Sequence, residues 1–555
     1  MSALSAACLL LHALCAGGAA PLELWEEDAL VKVFHDAAPP GAAGFPVEAA
    51  RGEQATIQVV IRAGEPLTGL RVEMTPLTAG QGAPITARPP RFVGYVHVDR
   101  PTQTPSPHQL RKPPADYPDV LWEQPPAGLP AGTALPVWFT VDVPADAAPG
   151  VYHATVRVDA RTGAAGVQAA LPVALEVFPV TVGRARLWVT NWFTMGNPRM
   201  KTPPKQGSEE FHALLRRYAR NMAEHRQNVA LISPLSLAKI TSDGKGGLSA
   251  DFSEFDRWVE IFQEEGVIGL IEGGHIGGRE GGWDSNFVAS IRTVDDAGGV
   301  RSASVPPGGA EADAFYAWYF PALMAHLREK GWTDKYVQHL ADEPTKSNLD
   351  SYRALAALAR RHAPGLRIIE ACHTRDLAGS MDVWVPQLNY LHQDFAHYQE
   401  RQRAGEEVWF YTCVFPQGRY ANRFIEQPLM LTRLLHWLNF YSGTTGYLHW
   451  GYNFWTEDDP VTHTTRPHGG PPYLPAGDPW IVYPAEDGGP VDSIRFEAMR
   501  DGVADHELLS MLAEKDPAAA REITARMIRG FDEYSVDAAQ FRAARRALLG
   551  ALGGG

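Results

Sequence analysis

Between about residue 187 and residue 450 the chain alternates short apolar runs with amphipathic segments of helical period. This alternation is typical of parallel sheets, because each strand needs a crossover before the next one can run in the same direction. Eight apolar runs occur, which predicts a (β/α)8 TIM-like barrel in which some helices are weak or missing. The predicted strands are 187–192, 228–232, 267–272, 335–341, 366–372, 381–388, 407–413 and 446–450.

The segments on either side of this barrel have other patterns. From 21 to 182, short alternating strands are separated by Pro and Gly, which predicts an N-terminal β-sandwich domain. The catalytic barrel is expected over 183–515, and amphipathic periodicity over 516–555 predicts a C-terminal helical segment. Residues 1–20 are apolar and then small, which is typical of a secretory signal peptide. The sequence thus predicts a secreted or periplasmic protein.

Charge and cysteine content argue against several classes of partner. The formal net charge is −14 with a pI near 5.8, and no Lys/Arg-rich block is present, which argues against a nucleic-acid partner. No segment after residue 20 has the length and apolarity of a membrane span, so we expect no membrane anchor. Beyond the signal only Cys372 and Cys413 remain, too far apart for a CxxC metal site. We expect neither a metal nor another cofactor.

One predicted strand ends on two adjacent carboxylates. The run Tyr336-Val337-Gln338-His339-Leu340-Ala341 is followed by Asp342, Glu343 and Pro344. Charged groups are rarely placed at the end of a buried strand without a reason, and the carboxyl ends of barrel strands are where catalytic groups lie. The same residues would also suit the first turn of a helix beginning near Leu349. The strand interpretation predicts Asp342 and Glu343 as catalytic residues.

The other predicted strand ends are rich in aromatic and amide side chains. Flat rings for stacking and short amides for hydroxyl groups are what a sugar ring needs, although the same tryptophans and tyrosines would also serve a core. Few Lys or Arg residues are present there, and the cluster of His, Asp and Glu expected around a metal is absent from the pattern. The predicted substrate-binding residues are Asn191, Trp192, His275, Asn389, Tyr390, Tyr411, Trp450, Asn453 and Trp455. The expected partner is a glycan or glycoconjugate.

The placement of carboxylates limits the mechanism. A retaining glycosidase with a protein nucleophile needs a second carboxylate about 5 Å from the acid, and an inverting one needs a base about 6.5–9.5 Å away. The predicted strand ends near Tyr390 and Tyr411 carry no acid. Substrate assistance is one solution, in which the 2-acetamido oxygen of the sugar attacks the anomeric carbon. A distant second acid remains an alternative, supplied by Glu272, Asp394 or the acidic run 457–459.

Three segments resemble a known family. HLADEP (339–344), YLHWGYNFW (447–455) and SIRFEAMRDGVADHE (493–507) are similar to glycoside hydrolase family 123 and to the broader group called domain of unknown function 4091. The resemblance covers about 187–512. It implies a β-N-acetylgalactosaminidase that uses substrate assistance, with Asp342 orienting the acetamido group and Glu343 as general acid/base. It also implies that Asp505 and Glu507 are structural residues, which attach the last helix to the barrel.

These observations predict a retaining exo-β-N-acetylhexosaminidase, with terminal β-linked N-acetylgalactosamine as the expected substrate. One alternative is a glycosidase for a different sugar that uses Glu343 with a distant second carboxylate. The other is a non-catalytic carbohydrate-binding protein, against which the intact Asp-Glu pair counts, because binding alone has little use for a protonatable pair.

Overall fold

A computed structural model describes residues 22–40, 47–243, 247–295, 298–467 and 473–554. The predicted signal peptide, residues 1–20, lies outside the described residues. The first ten strands are β1 (Leu22–Glu27), β2 (Val47–Arg51), β3 (Gln54–Ala63), β4 (Leu67–Met74), β5 (Arg91–Val98), β6 (Ala115–Trp122), β7 (Gly128–Leu129), β8 (Leu135–Asp142), β9 (Gly150–Thr162) and β10 (Ala165–Thr181).

These ten strands form two five-stranded sheets. Their orders are β1-β3-β8-β5-β6 and β2-β10-β9-β4-β7, and neighbouring strands are antiparallel except for the parallel pair β2 and β10. In β9 buried and exposed positions alternate, as expected for a strand with one face toward a core. Ile57 and Val137 from the first sheet share one hydrophobic cluster with Val156 and Leu175 from the second. The two sheets therefore bury their apolar faces together.

The remaining strands begin at residue 188 and include the predicted parallel set. They are β11 (Trp188–Asn191), β12 (Val229–Leu231), β13 (Lys239–Ser242), β14 (Leu248–Asp251), β15 (Leu270–Gly273), β16 (Gly277–Arg279), β17 (Phe287–Val294), β18 (Val300–Val305), β19 (Tyr336–Gln338), β20 (Arg367–Cys372), β21 (Val383–Pro386), β22 (Glu407–Val408), β23 (Phe410–Tyr411), β24 (Gly446–His449), β25 (Tyr483–Pro484) and β26 (Pro490–Val491).

Two parallel sheets contain all eight predicted strand positions. One has the order β12-β15-β19-β20-β21-β22 and the other the order β11-β24-β23, and every neighbouring pair is parallel. Strands β22 and β23 are successive pieces of one predicted strand, so the two sheets adjoin there. The parallel strands are buried on both faces, which explains why they appear as continuous apolar runs in the sequence. Their carboxyl ends lie at a common edge.

Helices connect most of the parallel strands. They are α1 (Glu209–Glu224), α2 (Pro234–Leu237), α3 (Ser253–Glu264), α4 (Ala310–Glu329), α5 (Leu349–His362), α6 (Leu388–Gln393), α7 (Phe395–Arg403), α8 (Leu429–Ser442), α9 (Ile494–Lys515), α10 (Pro517–Met527) and α11 (Ala538–Gly553), with a 3-10 turn at Thr333–Lys335. Residues 373–382, all of them described, contain no helix between β20 and β21. Among the described residues, no helix is both long and apolar enough to span a membrane.

Helix ends follow the local sequence. The Ser208 side chain accepts a hydrogen bond from the Phe211 amide at the start of α1, and Ser493 does the same for Phe496 at the start of α9. Helix α8 ends at Ser442 and is followed by Gly443, which has a left-handed φ of 69°, a conformation that glycine adopts at no steric cost. These signals explain why α1 and α9 begin where they do and why α8 stops where it does.

The structure corrects two local predictions. The strand predicted over 335–341 ends at Gln338, so the carboxylate pair lies beyond the strand in an irregular turn. Asn389 and Tyr390 lie in α6 rather than at a strand end. Between β15 and α4 the chain also forms an antiparallel sheet of β16, β17 and β18, which is called the insertion sheet below.

The C-terminal helices are attached to both preceding parts through buried charges. Arg545 of α11 donates to Glu53, beside β3, at 2.6 Å and to Asp505 of α9 at 2.9 Å. Asp505 also accepts a hydrogen bond from Arg433 of α8 at 2.7 Å. All four side chains are buried. Asp505 therefore has the structural role that the family resemblance implied for it.

Candidate active site

The chain makes a sharp turn where the two carboxylates lie. Successive residues of a strand point to opposite faces, so two adjacent side chains can share one face only if the backbone leaves the extended conformation. Glu343 has a φ of 51°, one of the few positive values outside glycine among the described residues. A non-glycine residue pays roughly 1–3 kcal/mol for such a conformation, which persists where surrounding contacts hold it. The turn brings Asp342 and Glu343 together at the edge formed by the strand ends.

Two contacts hold this turn in place. A guanidinium nitrogen of Arg279 donates to the Glu343 carbonyl oxygen at 2.9 Å. The backbone amide of His373, which directly follows β20, donates to the Pro344 carbonyl at 3.2 Å. The turn is therefore fixed both by the insertion sheet and by the neighbouring parallel strand.

The Glu343 carboxylate is bound by two side chains from other strand ends. The Tyr411 hydroxyl donates to Glu343 Oε1, and His373 Nε2 lies 3.2 Å from the same oxygen. His373 Nε2 also lies 2.7 Å from the Tyr411 hydroxyl. The Glu343 side chain remains 15% exposed, so it is held by the protein and still reachable from outside.

Asp342 has a different environment. No described residue donates a hydrogen bond to its carboxylate, which stays partly exposed. Burial of much of the residue, followed by the negative charge of Glu343, raises the pKa of Asp342 to about 6. Two adjacent carboxylates that interact this closely titrate as a pair. Asp342 is thus the member that keeps a proton to higher pH, and it has a free acceptor for a ligand.

The pKa of Glu343 is shifted in the opposite direction. Burial alone would raise its pKa, but the hydrogen bond and charge of His373, together with the hydrogen bond from Tyr411, outweigh burial and leave the pKa below its usual range. The two carboxylates therefore differ in ionisation although they are adjacent in the chain. A difference of this kind is what separates an acid from a charged partner in a catalytic pair.

A buried ionic network lies beneath the turn. His339 is fully buried between Glu272, 2.6 Å from its Nε2, and Glu370, 2.7 Å from its Nδ1. Burial would lower the pKa of His339, but the two carboxylates outweigh it and raise the pKa to about 10. Glu370, against the same burial penalty, has a pKa of about 2, because His339 and His275 stabilise its charge. The imidazolium is therefore permanently charged at neutral pH.

Glu370 also fixes the backbone that leads into the turn. Its Oε2 accepts hydrogen bonds from the amides of Leu340 and Ala341 at 2.8 and 2.9 Å. Its Oε1 lies 3.2 Å from His275 Nε2, on the rim of the site. Because these bonds involve an ionised acceptor, they are stronger than ordinary ones. The network thus positions Asp342 from below without contacting the exposed face of the pair.

Five of the predicted substrate-binding residues lie around this pair. Tyr411 binds Glu343, and the Tyr390 ring lies 5.0 Å from the His373 ring. The Trp192 indole donates to Glu272 at 2.9 Å and lies 5.5 Å from the His275 ring. Trp450 packs in the same apolar cluster as Trp192 and Tyr411, and its indole donates to Asp478 at 3.1 Å. The five residues are Trp192, His275, Tyr390, Tyr411 and Trp450.

Three predicted sugar contacts are instead part of the framework. Asn191 is fully buried and is hydrogen-bonded to Gln227 at 3.0 Å and to Arg423 at 2.8 Å. Asn453, also fully buried, accepts from the Thr194 amide and donates to its carbonyl, both at 2.9 Å. Trp455 is 4% exposed and donates to the Val482 carbonyl. Their polar atoms are used inside the protein, so a contact with substrate stays a prediction for these three residues. Asn389 is half-buried in α6, and its Oδ1 is buried without a described partner.

Sequence reasoning did not assign several residues that shape the site. His373 directly follows a predicted strand, so its position at a strand end could have indicated that it belongs to the site. Glu370 and His339 are polar residues inside apolar runs, which is also a detectable signal, but their pairing depends on strand register. Arg279 and Asp478 lie in irregular segments or at their borders, where the sequence offers no comparable signal.

Two of the three proposed sources of a distant second acid, Glu272 and Asp394, are bound to other residues. Glu272 is fully buried and bound by Thr190, Trp192 and His339. Asp394 pairs with Arg375 at 3.0 Å. Residues 457–459 are exposed in a loop. Asp478 is a further buried carboxylate, and burial raises its pKa to about 7 with a smaller contribution from Glu343.

Potential metal ligands are closer together than the sequence pattern indicated. Ligand atoms of His275, His339 and Glu370 lie within 4.8 Å of one another, as do those of His225, Asp492 and Glu497. The expectation that such groups are absent from the strand ends is therefore wrong for the first set. Both ring nitrogens of His339 are occupied by carboxylates, and a positively charged imidazole is not a metal ligand. The donor set fits an ion-pair network better than a metal.

Two carboxylates whose pKa values differ, placed together at the carboxyl ends of parallel strands, are typical of glycoside hydrolases. The family model described as glycoside hydrolase 123, catalytic domain, matches residues 181–512, which is more than half of the chain. The model described as glycoside hydrolase 123 N-terminal domain matches residues 43–160. The chain belongs to glycoside hydrolase family 123. The resemblance noted in the sequence is thereby confirmed, and Asp342 and Glu343 lie within the catalytic-domain match.

One solved structure supports the same fold. A family 123 glycoside hydrolase from Clostridium perfringens, described in connection with glycolipid glycan hydrolysis, has a TM-score of 0.74 at 16% sequence identity, covering 96% of this chain and 97% of that one. A β-glucuronidase from Parabacteroides merdae has a TM-score of only 0.30 at 10% identity, covering 85% of this chain and 50% of that one. No curated protein matches the sequence. The first similarity establishes a shared fold over nearly the whole of both chains.

Proposed function

We propose that the protein is a retaining exo-β-N-acetylhexosaminidase that removes terminal β-linked N-acetylgalactosamine by substrate-assisted catalysis. The observation that carries this proposal is the contrast between the two carboxylates. Glu343 is bound by Tyr411 and His373, whereas no described residue donates to Asp342. A 2-acetamido N–H is a donor that suits such a free acceptor. The carbohydrate named for the Clostridium perfringens relative, a glycolipid glycan, is the substrate class we propose here as well.

Each carboxylate has a separate task in this reaction. Asp342 accepts the acetamido N–H and holds that group so that its oxygen attacks the anomeric carbon. Glu343 gives its proton to the leaving oxygen and then, as a carboxylate, removes a proton from the water that opens the oxazoline-type intermediate. Two inversions at the anomeric carbon give net retention. Glu370 stays ionised beneath the site and keeps the turn in place through the Leu340 and Ala341 amides, while Glu272 binds the other side of His339.

The ionisation of the free protein implies a proton shift when substrate binds. In the free protein the pKa of Asp342 is raised to about 6 and the pKa of Glu343 lies below its usual range, so below about pH 6 the proton of the pair favours Asp342. An N–H donor favours the ionised form of Asp342, and the resulting charge disfavours ionisation of Glu343. Substrate binding therefore moves the proton to Glu343, where the leaving group needs it.

This shift predicts a pH dependence. The raised pKa of Asp342 means that the pair holds its proton below about pH 6 and loses it as the pH rises above that value. We expect kcat/KM for a 2-acetamido glycoside with a poor leaving group to fall about tenfold per pH unit above the apparent pKa. Glu343→Gln on an activated nitrophenyl glycoside is the control, since that reaction needs no proton from the pair. If kcat/KM of this variant fell in the same way at high pH, the assignment of the pair as the proton source would be contradicted.

A panel of aryl glycosides tests the function directly. We expect turnover of the 4-nitrophenyl β-N-acetylgalactosaminide and no comparable turnover of the matching β-galactoside, because only the first carries the internal nucleophile. The measurement is kcat/KM for both substrates under one set of conditions. Efficient cleavage of the galactoside would favour the alternative glycosidase with a second carboxylate. No turnover of any glycoside, with retained sugar binding, would favour the carbohydrate-binding alternative.

We also propose that the parallel strands close into a (β/α)8 barrel behind a β-sandwich, with domains at 21–182, 183–515 and 516–555. The Asn228 amide donates to the Val189 carbonyl at 3.3 Å, and the Asn228 side chain accepts from the Val189 amide at 2.9 Å, which supports adjacency of β11 and β12. The bridge between Gln387 and Tyr411 supports continuity on the other side. On the signal-like residues 1–20 we propose export to the periplasm or medium.

A further inference from the structure

Trp283 is a large apolar side chain left in solvent near the catalytic turn. It lies in the loop between β16 and β17 of the insertion sheet and is 47% exposed. Few large apolar side chains of the described residues are that exposed. A single exposed tryptophan needs no explanation by its position alone. Its contacts with residues of the active site are what distinguish it.

The indole is held by Arg279, the residue that also holds the catalytic turn. The guanidinium lies 3.9 Å from the centre of the Trp283 ring, and its Nε donates to the Trp283 carbonyl at 2.9 Å. Another nitrogen of the same guanidinium donates to the Glu343 carbonyl at 2.9 Å. The Phe287 ring lies 5.2 Å from the guanidinium. The Arg279 side chain thus fixes the indole relative to the Glu343 backbone. Because the indole is already ordered, a ligand that binds to it loses little free energy to ordering the protein.

The indole also borders the groups that contact the Glu343 carboxylate. Its ring centre lies 5.6 Å from that of His373, and His373 Nε2 is 3.2 Å from Glu343 Oε1. The Tyr390 ring lies on His373 as well, at 5.0 Å. Trp283 is therefore on the Glu343 side of the pair. The electrostatic neighbours of Asp342 are Glu343, His275, Glu370 and Arg279, and His373 is not among them.

This placement assigns the indole to one part of the substrate. A general acid protonates the leaving oxygen, so the group on its side is the one that departs. The apolar face of a pyranose packs well on an indole, and such aromatic contacts contribute to both binding and orientation. We propose that Trp283 is the platform for the first sugar of the leaving group, a neutral pyranose. The proposal rests on the proposed function, because it uses Glu343 as the acid.

Two substrates with similar leaving-group chemistry test it. One is a disaccharide with β-N-acetylgalactosamine on galactose, and the other is the methyl β-N-acetylgalactosaminide, which has no ring for the platform. We expect Trp283→Ala to lower kcat/KM for the disaccharide about tenfold and to change the methyl glycoside by less than about twofold. Trp283→Phe, which keeps a smaller ring, should fall between the wild type and Trp283→Ala. Trp122→Ala is the matched control, since Trp122 is 36% exposed at the end of β6.

Each outcome either supports or overturns the platform. A selective loss for the disaccharide supports it. Unchanged activity on both substrates, or an equal loss on both, overturns it, and an equal loss would mean that Trp283 only shapes the Glu343 turn. In these cases wild-type turnover of the methyl glycoside leaves the proposed function intact. Wild-type protein that cleaves neither N-acetylgalactosaminide, while folded, overturns the proposed function and the platform together.

Discussion

Asp342→Asn should lower kcat on the order of 10²-fold or more, on a nitrophenyl glycoside and on a natural glycan alike. The reason is that Asp342 acts while the acetamido oxygen closes on the anomeric carbon, when positive charge develops on the acetamido group. Removing a charge that is aimed at developing charge in a site shielded from water typically costs this much. Because Asp342 contacts the acetamido group and not the aglycone, the loss should not depend on the leaving group. Steady-state kinetics with both substrates measures it.

The control for this variant is another carboxylate-to-amide change. Glu457→Gln alters an exposed loop residue, one of the alternative second acids, and should keep wild-type rates if the pair acts alone. Thermal unfolding of all variants checks that the fold is retained. Wild-type rates for Asp342→Asn, or a large loss for Glu457→Gln, would contradict the assignment of Asp342.

Glu343→Gln should separate the two substrates. A poor leaving group needs a proton to depart, whereas a nitrophenolate leaves unaided, so the variant should retain much more activity on the nitrophenyl glycoside than on the glycan. In Glu343→Ala, azide should raise the rate on the activated substrate, because a small anion attacks the intermediate without general-base help. The measurement is the ratio of kcat/KM values for the two substrates, with and without azide.

The Glu343→Gln variant has a structural advantage as a probe. Its amide side chain keeps an oxygen that accepts the hydrogen bond from Tyr411, so the turn stabilised by Arg279 need not change. Equal losses on both substrates would contradict the role of Glu343 as general acid. Failure of azide to act on an otherwise active Glu343→Ala would weaken only its role as base in the second step.

The fold was predictable where one physical signal dominated. Parallel strands are buried on both faces, so the runs ending at Cys372 and His449 contain few polar residues and stand out in the sequence. The strand that ends at Gln338 was predicted to continue to residue 341. The prediction was too long because His339 and Leu340 are buried, although they no longer pair with a neighbouring strand. Burial and strand pairing are different properties, and the sequence pattern reports the first.

Of the candidate site, the sequence predicted reliably only the two central carboxylates. Asp342 and Glu343 are adjacent in the chain, so no tertiary information is needed to bring them together. Glu370, in the next parallel strand, reaches the same turn only through the register of β19 and β20. Asn453 and Trp455 were expected to bind sugar because they follow a strand end, but a chain that turns back after a strand also needs such residues for its own support. The positions of the strand ends predict where the site lies. Which residues there face a substrate and which support the protein depends on tertiary contacts.

The ion cluster around Arg545 limits how far the chain can be divided. Glu53 comes from the N-terminal sheets, Asp505 from α9 and Arg545 from the final helix, and all three are removed from solvent. Removing the final helix would leave Glu53 without its counter-ion Arg545, and breaking a buried pair costs about 3–5 kcal/mol, comparable with much of the net stability of a typical domain. The segments that family models separate are therefore thermodynamically interdependent. Unfolding is expected to be cooperative across their boundaries, and evolution cannot exchange one of them without also replacing the charges that it shares with the others.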